Sequence, residues 1–263
     1  MFRNITPVVQ NLLLINILVF VLASFVFPVL DEWFALYNIQ SAYFKPFQFL
    51  TYMFMHADFW HLFSNMLGLL VFGPLLEQFL GPKKLFTLWM VCGVGAGVLY
   101  TGYSLYEYKN MEEKVLTFEG NPDPEYFNKL VLENRSYFSP EVFDFVDQYS
   151  RNPQDPMFIE RAEKTLEAIL KLHANAPMVG ASGALFGVLI AFGMLFPNTQ
   201  LFLLFPPMPV KAKYLVGAYA LYTVYNVLLN SSTDNVAHFA HLSGLVIGAV
   251  LVYYWKKDKT SFY

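Results

Sequence analysis

Six apolar stretches constrain this chain more than anything else in it: residues 9–29, 58–79, 84–104, 177–196, 210–229 and 236–255. Each matches the ~17–25 residues a helix needs to cross a hydrocarbon core. Lipid offers no partner to a backbone amide or carbonyl, so stretches of this kind are driven to helix. Composition agrees, with 56% of residues hydrophobic and 14% charged, against about 45–50% and about 25% in soluble domains. The reading is an all-α membrane protein with six transmembrane helices. Gly81-Pro82 follows the second stretch, Pro197-Asn198 the fourth, and Pro206, Pro207 and Pro209 precede the fifth. The first stretch exceeds the ~7–15 residue core of a signal peptide, and no clear small-x-small cleavage site follows it, so it reads as an uncleaved membrane helix.

Short-loop lysines and arginines give an orientation. Arg3, Lys83, Lys84, Lys211, Lys213, Lys256, Lys257 and Lys259 fall on one side, and Lys45 stands alone in the short loops of the other. Both termini are therefore expected in the cytoplasm, with the chain in the cell (inner) membrane. A net charge of −3 argues against nucleic acid as a partner. The single cysteine, Cys92, permits neither an intrachain disulfide nor a thiolate-metal cluster.

Residues 105–175 interrupt the apolar pattern with 14 acidic and 8 basic residues. They are expected to form an extracytoplasmic helical insertion between the third and fourth spans, dividing the chain into 1–104, 105–175 and 176–263. Asp123-Pro124, Ser139-Pro140 and Asp155-Pro156 each pair a capping residue with a proline suited to the first helical position. The third start opens an amphipathic pattern with Phe158, Ile159, Ala162, Leu166, Ile169 and Leu170 on one side. Phe127, Tyr137, Phe138, Phe143, Phe145 and Tyr149 supply further apolar surface.

Polar groups inside spans are costly, and so they mark candidate function. Ser182 lies in Gly180-Ala181-Ser182-Gly183, five residues into the fourth span, and His241 lies five residues into the sixth. His61 and Asn65, four residues apart, share one face near the start of the second. In the six-span orientation all four occupy one depth. Gly180, Gly183 and Gly187, facing Ala240, Gly244 and Gly248, would let the fourth and sixth spans approach closely. A serine beside a histidine base is an activated nucleophile. No carboxylate lies nearby, so the pair would be a dyad, with Phe186 placed to stack on the imidazole. His61 and Asn65 could donate to an oxyanion. Glu77, at the inner end of the second span, is expected to meet Lys83, Lys84 or water.

These motifs resemble those of the rhomboid family of intramembrane serine proteases. Gly180-Ala181-Ser182-Gly183 is similar to the family's G-x-S-G, His241-Leu242-Ser243-Gly244 with Gly248 to its last-span motif, and His56, His61 and Asn65 to its H-x4-H-x3-N pattern. The resemblance implies a six-transmembrane-helix rhomboid-like bundle. It implies Ser182 as nucleophile and His241 as general base, with an oxyanion hole from His61, Asn65 and the Ser182 amide. It gives His56 a structural role bracing the first outside loop, and places Phe186 where the family usually has an aromatic facing the histidine. Substrates would be single-span or multi-span membrane proteins within a lipid bilayer, with no metal or other cofactor. The oligomeric state stays open, a homo-oligomer included. The alternative is a catalytically silent rhomboid-like protein that binds and routes transmembrane clients. Two features depart from the pattern. Phe47-Gln48 stands where the family often has Trp-Arg, which bears on loop anchoring, and residues 105–175 are an addition to the minimal six-span form. The segment Asn230–Asn235 is expected to form a polar cap above the opening between the second and fifth spans.

Overall fold

Where water is absent each segment must satisfy its own backbone, and the computed structural model, described here for residues 5–202, 208–229 and 235–257, does so almost wholly with helix. Helix α1 (Pro7–Val21) runs into a π-helical turn, Leu22–Val26, and the short α2 (Val29–Phe34) follows. A loop leads to α3 (Gln48–Thr51) and a 3-10 turn, Tyr52–Phe54. The long helices α4 (Phe59–Leu80) and α5 (Pro82–Gly120) meet at Gly81, whose φ of 82° reverses the chain without a Cβ penalty. Four segments are long and apolar enough to cross a membrane among the described residues: Pro7–Val26, Phe59–Leu80, Pro82–Gly120 and His238–Lys257.

At 39 residues α5 is about 58 Å long, nearly twice a ~30 Å hydrocarbon core, so it has to project beyond one. It runs unbroken through residue 105 into the charged segment. There it packs with α6 (Pro124–Glu133), α7 (Glu141–Arg151) and α8 (Pro156–Asn175) around a core of their own. Phe118, Phe127, Tyr149, Leu166 and Ile169 are fully buried in that core. The Asp123 carboxylate accepts from the Tyr126 amide and the Asp155 carboxylate from the Met157 amide, so both expected caps form. The middle helix differs: it begins one residue after Pro140, and no side chain caps it. Phe145 joins the core and Phe138 packs against it, whereas Tyr137 and Phe143 remain exposed.

The fourth apolar stretch is not helical from its start. Helix α9 (Ser182–Leu195) has 14 residues, about 21 Å, and the chain reaches it through extended backbone. That backbone is satisfied by long-range partners. Leu36 and Met178 exchange two hydrogen bonds of 2.9 and 2.8 Å, and the Gly180 amide donates to the Tyr52 carbonyl at 3.0 Å. Ser182 is thus the first residue of its helix, not a residue one turn down it. After α9, a two-stranded hairpin that no periodicity announces, β1 (Gln200–Phe202) with β2 (Pro209–Lys211), leads to α10 (Ala212–Leu229) and α11 (Asn235–Lys257). Pro206 and Pro207, Arg3, Lys259 and most of the Asn230–Asn235 segment lie outside the described residues.

Helix α9 is apolar on all sides and occupies the middle, touching α4, α5, α10 and α11. Glycine brings α9 and α11 into backbone contact. A Cβ on Gly244 would overlap the Gly183 carbonyl, and one on Gly248 would lie 2.8 Å from the Gly187 Cα.

Glu77 corrects one expectation. Its carboxylate reaches α1, accepting from the Val8 and Val9 amides at 3.0 and 3.1 Å. The first amides of a helix have no intrahelical acceptor and carry a partial positive charge, which a carboxylate complements. Thr6 makes no side-chain cap there, so Glu77, 4% exposed, caps α1 from a neighbouring helix. Lys84 lies 5.9 Å over the Trp255 ring.

Candidate active site

A cavity of about 740 Å³ opens among α4, α9, α10 and α11. Its polar lining includes His61, Ser64, Asn65, Ser182, His238 and His241. Phe72, Leu185, Phe186, Leu189, Leu215 and Tyr219 supply apolar wall.

Local sequence explains how each group arrives. Asp58 caps α4, its carboxylate accepting from the His61 amide at 2.8 Å, which fixes the first turn on which His61 rides. Asn65, one turn on, donates from Nδ2 to the His61 carbonyl at 3.0 Å. A side-chain amide has two N–H groups, so one donor remains. Gly180 has φ of 119°, a conformation side chains rarely adopt, and an added Cβ would lie 2.6 Å from His61 Nε2. Glycine is therefore required there twice over, by backbone and by neighbour. It lets the chain pass directly beneath the His61 ring before Ser182 starts α9. As the first helical residue Ser182 exposes an amide without an intrahelical acceptor.

His241 is oriented by packing. Phe186, one turn below Ser182, stacks on it with centroids 4.2 Å apart and planes 7° from parallel. Tyr219 of α10 meets the Phe186 ring edge-on at 6.3 Å. His238 stands perpendicular to His241 at 6.1 Å and meets Tyr222 at 5.5 Å. His56 does not line this cavity. It is buried, 5% exposed, with its ring edge-on to His61 at 5.1 Å. Burial, with His61 beside it, pulls the His56 imidazole down to about 4.

Ser182, His241, His61, Asn65 and Phe186 are therefore brought together, with Gly180 beneath His61 and His56 behind it. Three participants were missed. Tyr219 and Tyr222 sit three residues apart on α10, and two tyrosines at helical spacing in an apolar span were a usable signal. Asp58, three residues before His61, had the spacing of a cap. The departure at Phe47-Gln48 is resolved as well. Gln48 is wholly buried and accepts from the Lys45 amide while donating to the carbonyls of Trp33 and Tyr43, so it is an anchor of the first loop.

Comparison with known families matches this chain to the Rhomboid domain over residues 43–113 and 162–257, well over half of its length. The chain belongs to the rhomboid family. It is a multi-pass membrane protein of that family, and the match omits residues 114–161, which lie within the charged segment 105–175. Among curated proteins it is similar to Rhomboid protein 1, mitochondrial, of Saccharomyces cerevisiae, 26% identical over 204 residues. That alignment covers 78% of this chain but 40% of the yeast protein, so the chain spans less than half of this rhomboid relative's length.

Proposed function

We propose that this chain is an intramembrane serine endopeptidase that cuts peptide bonds in or beside transmembrane helices. One observation carries the reading: Ser182 and His241, on different helices, line a single cavity with His61 and Asn65, and Phe186 lies flat on the imidazole. His241 takes the Ser182 hydroxyl proton as the oxygen attacks the scissile carbonyl. The oxyanion forms next to His61, the second Asn65 N–H and the Ser182 amide at the helix N-terminus, where fixed dipoles favour negative charge. His241 returns the proton to the leaving amine, and water in the cavity then releases the acyl group. A substrate helix hides its carbonyls in hydrogen bonds, so it must unwind to be attacked, and substrates with small or helix-breaking residues are expected. The cavity is bounded by α4 and α10, which suits substrate access between those two helices.

The same reading takes all six apolar stretches as spans, with both termini cytoplasmic in the cell (inner) membrane. It takes 105–175 as an extracytoplasmic cap, between 1–104 and 176–263, that shields the site or helps select substrates. The test is cleavage of a model membrane substrate by detergent-solubilised protein, with Ser182→Ala and His241→Ala alongside. Loss of product in both variants supports the dyad, and full activity of Ser182→Ala overturns it. An inactive wild type that still retains the substrate would favour the silent, client-binding alternative.

A further inference from the structure

The first loop holds another cavity, of about 270 Å³, lined by Glu32, Trp33, Ala42, Tyr43, Lys45 and Phe47. Among the described residues it shares no lining with the Ser182 cavity. Its frame is organised by Gln48, whose side chain, 0% exposed, binds the backbones of Trp33, Tyr43 and Lys45 at 3.0, 2.9 and 3.0 Å. Edge-on contact of Phe34 with Phe47 at 6.0 Å, and a tilted contact of Tyr37 with Tyr43 at 5.4 Å, steady the walls. The frame is held, yet the lining side chains face outward, with Trp33 61% exposed.

The charges are arranged unusually. Glu32 and Lys45 line the same small cavity, but among the described residues neither forms an ion pair, with the other or elsewhere. Two opposite charges kept apart in one cavity that aromatic side chains also line complement a ligand that carries both a cation and an anion. Aromatic faces attract alkylammonium groups, and a lysine ammonium attracts phosphate. Position supplies the rest. Glu32 and Trp33 lie on α2, within seven residues of the end of the first apolar segment, where Phe25, Val26, Phe27 and Val29 are exposed, Phe25 at 77%. A headgroup here would leave its acyl chains beside that apolar surface. Exposed Trp and Tyr are also the residues that settle at the headgroup level of a bilayer.

We propose that this cavity binds the headgroup of a zwitterionic glycerophospholipid, with the phosphate at Lys45 and the ammonium at Glu32 against Trp33 and Tyr43. An anionic headgroup would satisfy Lys45 but face Glu32 unpaired. The site is independent of proteolysis and would stand if the dyad were inactive.

The test uses the full chain purified in detergent and titrated with phosphatidylcholine, phosphatidylethanolamine, phosphatidylglycerol and diacylglycerol, with one-to-one complexes read by native mass spectrometry. Glu32→Gln and Lys45→Met are compared with wild type, and thermal unfolding confirms their folding. If either fails to fold, Trp33→Leu probes the same wall. A single zwitterionic lipid should be retained, and each substitution should weaken it about tenfold, with phosphatidylglycerol and diacylglycerol weaker by a similar factor. Equal retention of all four lipids, or unchanged binding in the variants, overturns the site. So does soluble phosphocholine binding as tightly as the lipid, since the acyl chains would then contribute nothing.

Discussion

Phe186 and His241 form a parallel stack, 4.2 Å between centroids and 7° between planes, joining α9 to α11 at the level of Ser182. With no carboxylate among the described residues that line the cavity, orientation of the imidazole falls to this ring. Phe186→Ala should lower kcat by about 100-fold, the scale of a misplaced catalytic group, while Phe186→Tyr keeps most activity. Steady-state kinetics on a model membrane substrate checks this. An unchanged kcat in the alanine variant would mean that His241 is held by something else.

Gly244→Ala forces α11 away from the Gly183 carbonyl. It should cost about 3 kcal/mol of stability and reduce activity more than its loss of folded protein explains, because the same contact sets the separation of Ser182 and His241. Gly217→Ala on α10 is the control. Nothing lies within 4 Å of its added Cβ, so the change should be neutral or stabilise by about 0.5–1 kcal/mol. Thermal unfolding in detergent separates the two.

Removing the carboxylate in Glu77→Ala leaves the Val8 and Val9 amides without their acceptor in a buried setting. The expected loss is about 2 kcal/mol. Glu77→Gln, which keeps one acceptor oxygen, should recover about half of it. Hydrogen exchange at Val8 and Val9 should rise in the alanine variant, and unchanged protection there would count against the cap.

The parts of this protein that could be read in advance are those whose cause is local or periodic. Ser182, His61, Asn65 and His241 stand out because polar groups are rare in apolar runs. The Asp123 and Asp155 caps act within three residues of themselves. Most of what escaped detection has its partner far along the chain. Residues 177–181 belong to an apolar run that reads as helix, and only Leu36 and Tyr52, more than 100 residues away, hold them extended. Glu77 has lysines near it in sequence, yet its acceptors serve amides 68 and 69 residues earlier. Gln48 looked like the loss of a loop anchor because its partners are backbone groups, one amide and two carbonyls, which no side-chain pattern reveals.

His56 makes stability depend on pH. In the unfolded chain it titrates near 6.5 and in the fold near 4, so between those values the native state binds fewer protons. Its contribution is complete above about 6.5 and declines as pH falls, by on the order of 3 kcal/mol once pH is below 4. His56→Asn should be less stable at pH 7 but flatter between pH 6.5 and 4. Unfolding midpoints across that range decide the matter, and an unaltered slope in the variant would remove His56 as the cause.

The cap supports a final prediction. Beyond its own core it is tied to the first loop, where Ser41 Oγ donates to Asn175 Oδ1 at 2.7 Å. Asn175 ends α8 only seven residues before Ser182, so the cap, the loop and the chain leading into Ser182 are mechanically joined. Deleting 110–170 should change the ranking of several membrane substrates, not merely scale every rate by one factor. Ser41→Ala isolates the tether from the bulk of the cap. If the cap selects substrates sterically, Ser41→Ala leaves the ranking as in wild type and the deletion alters it. If the cap acts by holding the loop, both variants shift the ranking together. Unchanged cleavage of every substrate by the deletion variant would strip the cap of either role.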